Sequence, residues 1–194
     1  TQYALTKYQV EGSSDANNSK VMINTLTIDG NKQQVASTDM IEIQNNNRAI
    51  INAGFIKLQN FDLRLNKYVS KIMIQNQQGT TVREYQDETM AKIELDRKTI
   101  SGTTAIIEYQ IKVSNVGEIP GYVKSIADYI PNDLNFSSEL NKDWYTSGGN
   151  TLYNASLANT KIEPGETQTL TLTLTKTMTE NNLGLVNNTA EIAE

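Results

Sequence analysis

The stretch from Phe61 to Val69 reads Phe-Asp-Leu-Arg-Leu-Asn-Lys-Tyr-Val and alternates apolar and polar residues at period two. That period belongs to a strand with one buried face. Phe61, Leu63, Leu65, Lys67 and Val69 share one face, and Asp62, Arg64, Asn66 and Tyr68 share the other. Lys67 therefore occupies a place where the pattern calls for an apolar side chain. An ammonium group buried without a partner is costly, so Lys67 needs a counter-charge or a chemical fate.

The same period runs through the chain on either side. Ser70 to Gln75 extends the first strand, and Gln77-Gln78-Gly79 reads as a turn. Met90 to Leu95 alternates. Ser101-Gly102 then turns into Ala105 to Ser114, with Ile107, Tyr109, Ile111 and Val113 on one face and Glu108, Gln110 and Lys112 on the other. Tyr122 to Ile130 is a strand closed by Pro131, and Asp133 to Phe136 and the region of Trp144 lead to a break at Gly148-Gly149. Pro164-Gly165-Glu166 turns into Gln168 to Thr175, and Val186 to Ile192 closes the set. Short strands at this spacing, without a helical period, predict an all-β fold, with a β-sandwich over residues 59–194.

Upstream, Tyr3 to Val10, Lys20 to Ile28, Lys32 to Ala36, Met40 to Gln44 and Ala49 to Leu58 read as strands. Asp29-Gly30-Asn31 makes a tight turn, and Glu11 to Ser19 a polar loop. This is little material for a sandwich of its own and it opens in mid-pattern, so residues 1–58 are expected to be the latter part of a domain.

Composition narrows the function classes. The chain has 194 residues, enough for one large or two small domains. Its net charge of -5 and the lack of a basic cluster argue against a nucleic-acid surface. Cysteine and histidine are both absent, which removes disulfides, thiolate chemistry, most zinc sites and His-based nucleophilic catalysis. No cofactor and no metal site is expected. No apolar run approaches membrane-spanning length. The start shows no signal segment and the end no wall-sorting motif, so the chain is expected to be a piece of a longer, extracellular one.

Four motifs follow one another in order: Tyr109 to Gly117 (YQIKVSNVG), Ile126 to Leu134 (IADYIPNDL), Ile162 to Leu174 (IEPGETQTLTLTL) and Val186 to Ile192 (VNNTAEI). In this order, with the lysine strand before them, they resemble the conserved-repeat and fimbrial isopeptide-forming, Ig-like domains of Gram-positive cell-wall proteins. Residues 1–58, ending in Ile51-Asn52-Ala53-Gly54-Phe55, resemble the end of a B-type, prealbumin-like adhesin repeat. The resemblance implies tandem β-sandwich modules in a monomeric, cell-wall-associated stalk or spacer whose partners are neighbouring repeats. Some B-type repeats bind calcium, but Asp15 and Glu11 are the only carboxylates in the 11–19 loop, too few for a calcium cage.

In family members that form the bond, a lysine on the first strand is joined to an asparagine on the last, promoted by a buried acid. Carried over, these are Lys67, Asn188 and Asp128. Periodicity places the other two on apolar faces as well, Asp128 between Ile126 and Ile130, and Asn188 between Val186 and Ala190. Burial would favour a neutral amine and a neutral acid, so the amine becomes a nucleophile and the acid can polarise the carboxamide. The reaction happens once per molecule, so it is self-modification rather than turnover.

The alternatives are a plain buried Lys67–Asp128 ion pair with Asn188 bonded to backbone, or a Lys67 that reaches solvent at the strand end. Lys71, in phase with Lys67, and Asn187, on the opposite face from Asn188, are the neighbouring substitutes. Glu84, Asp87 and Glu88 lie in a polar stretch without an aromatic platform and read as a solvated loop rather than a glycosidase pair. Trp144, Tyr145 and Tyr153 offer a rival function, a surface that binds host protein or glycan directly, against core packing of the lone tryptophan.

Overall fold

The computed structural model describes residues 2–12, 14, 18–42 and 50–194. The described residues are all-β, with several sheets and no helix. The chain forms two compact units, Thr1–Gln59 and Asn60–Glu194.

In the first unit, β1 (Gln2–Leu5) pairs antiparallel with β4 (Phe55–Leu58), and β2 (Met22–Ile28) forms a hairpin with β3 (Asn31–Ser37). The hairpin turn has Asp29 at φ 52° and Gly30 at φ 80°. Two consecutive positive φ values are what a type I′ turn requires, and its twist suits the flanking strands. Val21 is the buried apolar residue among those described here, whereas Tyr3, Ile23, Leu26 and Phe55 are exposed. Three strand expectations shrink. Tyr3 to Val10 is strand only to Leu5, Met40 to Glu42 is not strand, and of Ile50 to Leu58 only the last four residues pair. Residues 43–49, and Asp15 of the polar 11–19 loop, lie outside the described residues.

The second unit has nine strands. They are β5 (Leu63–Asn76), β6 (Gly79–Glu88), β7 (Thr104–Asn115), β8 (Ile126–Tyr129), β9 (Asn135–Phe136), β10 (Trp144–Thr146), β11 (Thr151–Asn154), β12 (Thr167–Thr177) and β13 (Thr189–Ile192). One sheet has the order β6-β5-β7-β12-β9 and the other β10-β11-β8-β13. The core is shared between them. Ile111, Val113, Leu172 and Leu174 come from the first sheet and Ile126 and Leu152 from the second. Each such residue, fully buried, contributes roughly 1.5–3 kcal/mol relative to exposure.

β7 and β12 follow the predicted alternation throughout. Ile107, Tyr109, Ile111 and Val113 are buried, as are Leu170, Leu172 and Leu174. Elsewhere the alternation reports burial without strand pairing. Ala91, Ile93 and Leu95 pack on the core, yet Met90 to Leu95 forms no ladder. Instead the Tyr85 hydroxyl donates to the Lys92 carbonyl at 2.9 Å and fixes the segment. The polar stretch with Glu84, Asp87 and Glu88 is not a loop but the exposed edge strand β6, where Asp87 pairs with Lys112.

The tight loop after β7 rests on Asn115. Its amide donates to the Ile119 and Ile162 carbonyls, each at 2.8 Å, and its side-chain oxygen accepts from the Gly117 amide at 2.9 Å. At Gly117 a Cβ would meet the Asn60 carbonyl oxygen and the Asp62 nitrogen at 2.6 Å, so only glycine lets these backbones approach.

Candidate functional site

Lys67, Asp128 and Asn188 come from three places in the sequence and two sheets. Lys67 lies on β5, opposite Ile111 of β7. Asp128 lies on β8, opposite Leu152 of β11 and Ala190 of β13. Asn188 sits one residue before β13, and Val186, Asn188, Ala190 and Ile192 are half-buried while Asn187, Thr189 and Glu191 are exposed. The phase that places Ala190 against Asp128 therefore turns Asn188 inward and Asn187 outward.

The Lys67 ammonium bonds directly to Asp128 Oδ2, with side-chain exposures of 9% and 0%. Beneath it lies the ring of Tyr109, its centroid 4.6 Å from Lys67 Nζ. Asp128 Oδ1 and both polar atoms of Asn188 are buried without a hydrogen-bond partner. The Asn188 carboxamide nevertheless lies close enough to Asp128 and to the Tyr109 hydroxyl to influence both groups, so it is adjacent but not bonded. These three are the buried side-chain polar atoms left unpaired among the described residues. Such atoms are rare in folded proteins, at about 1–3 kcal/mol each, and their gathering in one cluster calls for an explanation.

Burial dominates the electrostatics. It pushes the Lys67 pKa down, although the Asp128 charge and hydrogen bond pull it back up. It pushes the Asp128 pKa up, against the pull of Lys67 and Asn188. Burial, reinforced by the Asp128 charge, also raises the Tyr109 hydroxyl to about 12. The surroundings thus narrow the gap between the ion pair and the neutral amine–acid pair, which have the same number of protons.

Lys71 is excluded from this cluster by a β-bulge. The register of β5 shifts between Val69 and Lys71 against both neighbouring strands. One extra residue reverses the facing, so Ile72 and Ile74 enter the core and Lys71 leaves it. Lys71 then pairs with Glu108 at 2.9 Å on the outer face, and the Ser70 hydroxyl donates to Glu108 Oε1 at 2.8 Å. Simple alternation puts Lys71 in phase with Lys67. The bulge corrects that.

Trp144 is a core residue rather than part of a binding surface. It is buried, and its indole N–H donates to the Thr171 carbonyl at 2.8 Å, joining β10 of one sheet to β12 of the other. Tyr145 and Tyr153 sit opposite each other on β10 and β11 with ring centroids 6.0 Å apart, and Tyr145 is exposed.

Sequence reasoning missed two residues. Lys176 continues the apolar phase of Leu170, Leu172 and Leu174, and its side chain is 4% exposed. It pairs with Asp133 at 2.5 Å, but that carboxylate is 41% exposed, unlike Asp128. The signal that singled out Lys67 was equally present here. Tyr109 was read as core, and only the tertiary arrangement places its ring against Lys67. No protein-family model, curated protein or solved structure matches the chain.

Proposed function

We propose that residues 60–194 close an autocatalytic amide bond between Lys67 Nζ and Asn188 Cγ, and that the chain serves as an Ig-like stalk or spacer module of a Gram-positive cell-surface protein. The observation that carries this reading is the buried meeting of Lys67, Asp128 and Asn188 around three unpaired polar atoms. The Lys67–Asp128 contact transfers a proton within the pair and leaves a neutral amine beside a neutral acid. The amine attacks Asn188 Cγ while the carbonyl electron pair moves onto Oδ1, which accepts a hydrogen bond from the acid. A proton from the attacking nitrogen passes through Asp128 to the carboxamide nitrogen. The Cγ–Nδ2 bond breaks, ammonia leaves, and Asp128 keeps its proton.

The product resolves the cluster. Asn188 Nδ2 is gone, the new amide N–H can donate to one Asp128 oxygen, and the acid O–H can donate to the amide carbonyl. No charge remains buried at the pair, one orphaned atom has left as ammonia, and the two orphaned oxygens can each gain a partner. Because the bond joins β5 to the entrance of β13, it links one sheet to the other and closes residues 68–187 into a covalent loop. That suits a module pulled from its ends.

Intact mass under denaturing conditions tests the bond. The wild-type chain is expected to be lighter than its sequence by one ammonia and Lys67→Ala to match its sequence. An unshifted wild-type mass overturns the crosslink and reduces the site to a buried ion pair. Specific binding of host glycan or matrix protein, lost on Tyr145→Ala, would favour the ligand-binding reading over the spacer.

A further inference from the structure

The outer face of the sheet β10-β11-β8-β13 is aromatic and acidic. Alternation turns Trp144, Leu152, Asp128 and Ala190 toward the core. It leaves Tyr145, Tyr153, Ala127, Tyr129 and Glu191 on the other side. In register, Tyr145 faces Tyr153, Tyr153 faces Ala127 and Ala127 faces Glu191, so four strands contribute to one row. The Tyr145 and Tyr153 rings lie 6.0 Å apart with their planes tilted by 30°. Ala127 points away from the core yet is only 1% exposed, so the side chains flanking it lie down over the sheet. The Tyr129 hydroxyl donates to Glu191 Oε1 and fixes that carboxylate at the end of the row. Tyr129, Tyr145 and Glu191 are all exposed. The remaining positions on this face, Thr151 and Thr189, are neutral, so no cation on it balances the carboxylate.

We propose that this face docks an extended polypeptide segment that presents arginine side chains. The π faces and the carboxylate attract the same sign of charge, which selects a cation over a neutral partner. A guanidinium serves both, because it stacks flat on a tyrosine ring and pairs with a carboxylate through its planar fork. From Glu191 to Tyr145 the row crosses three strand spacings, about 14 Å. That is too wide for one small cation, and it matches two residues four apart in an extended chain. One arginine stacks on the Tyr145–Tyr153 pair, and the other meets Glu191 at its Oε2. Tyrosine and arginine are also the side chains that protein interfaces favour. The Lys67–Asp128–Asn188 cluster lies on the opposite face of this sheet, so docking does not depend on the crosslink.

The test is an NMR titration of the full chain that follows the tyrosine ring signals. The probe is the capped peptide Arg-Thr-Gly-Thr-Arg, beside the same peptide with citrulline in place of both arginines, which keeps the shape and removes the charge. The arginine peptide is expected to move the rings of Tyr129, Tyr145 and Tyr153 along one saturable curve that weakens as salt is raised. Glu191→Gln is expected to weaken binding about tenfold, the loss of one charge-assisted contact. Tyr145→Leu, which keeps an apolar side chain but removes the ring, should weaken it about threefold. Both positions are exposed, and each variant is checked for an unchanged thermal midpoint. Equal binding of the citrulline peptide overturns the proposal, because the contact then needs no cation. An unaltered affinity in Glu191→Gln overturns it too, by reducing the effect to the general attraction of an acidic chain. Ring signals that do not saturate remove the site. A chitin trisaccharide that moves the same rings at lower concentration than the arginine peptide assigns the face to glycan and overturns the peptide.

Discussion

At the scale of single residues, two lysines occupy apolar phase, and their partners separate them. Asp128 is fully buried, so desolvation acts on both members of its pair, while the carboxylate that meets Lys176 is the partly exposed Asp133. The Lys67–Asp128 pair also sets the pH behaviour expected of the proposed crosslinking. The ion pair and the reactive neutral pair hold the same number of protons, so pH does not shift the balance between them. Below the pair's lower macroscopic pKa a second proton blocks the amine, and above the upper one the acid proton is lost. Burial raises Asp128 above 3.8 and lowers Lys67 below 10.5, so both limits move inward. Refolding at a series of pH values should give a flat crosslinking rate over a plateau inside those values, falling on either side. A rate that climbs steadily to the alkaline end would show that free amine, without the acid, is sufficient.

At the scale of elements, the β5 bulge decides which lysine faces the core. Without it, Lys71 would point inward two places from Lys67 and the core would receive two ammonium groups from one strand. With it, Lys71 and Glu108 form a partly exposed pair on the outer face, where such pairs contribute little. Lys71→Ala should therefore keep the full ammonia deficit and change stability by no more than about 0.5 kcal/mol in urea unfolding. Loss of the deficit in that variant would place Lys71 in the chemistry. The Asn115–Gly117 turn is the other element-level constraint. It draws the chain close to Asn60 and Asp62 just before β5 begins, and so helps set the start of the lysine strand.

At the scale of the whole molecule, the proposed bond would change what must break. β5 enters the second unit and β13 leaves it, so a force applied at the two ends of that unit reaches Lys67 and Asn188 before the intervening strands. Crosslinked, residues 68–187 are shielded. Uncrosslinked, they unravel and release roughly 400 Å of extended chain. Closing so long a loop also constrains the unfolded state, by analogy with a disulfide, by on the order of 4–5 kcal/mol. Asn188→Ala, which leaves the Lys67–Asp128 contact intact, should lose about that much in urea unfolding and show the added extension under force. Equal stability and extension in the two chains would remove the mechanical role.

The sequence alone determined the all-β class and the inward faces of β7 and β12, because period-two alternation is a local property that burial on one side of a sheet imposes directly. It likewise determined that Lys67, Asp128 and Asn188 stand in apolar phase, since phase needs only the residues on either side. It misplaced Lys71, because the apolar phase of β5 moves from Leu63, Leu65 and Val69 to Ile72 and Ile74, and only pairing to β7 fixes the extra residue between Val69 and Lys71. It read Met90 to Leu95 as a strand, because burial alternates there without a neighbour to bond. Tertiary structure alone decided that Asp128 is sealed while Asp133 is not, that Trp144 ties the two sheets, and that Tyr109 lies against Lys67. Those outcomes depend on which strands face each other across the core, and residues far apart in the chain carry no local record of that meeting.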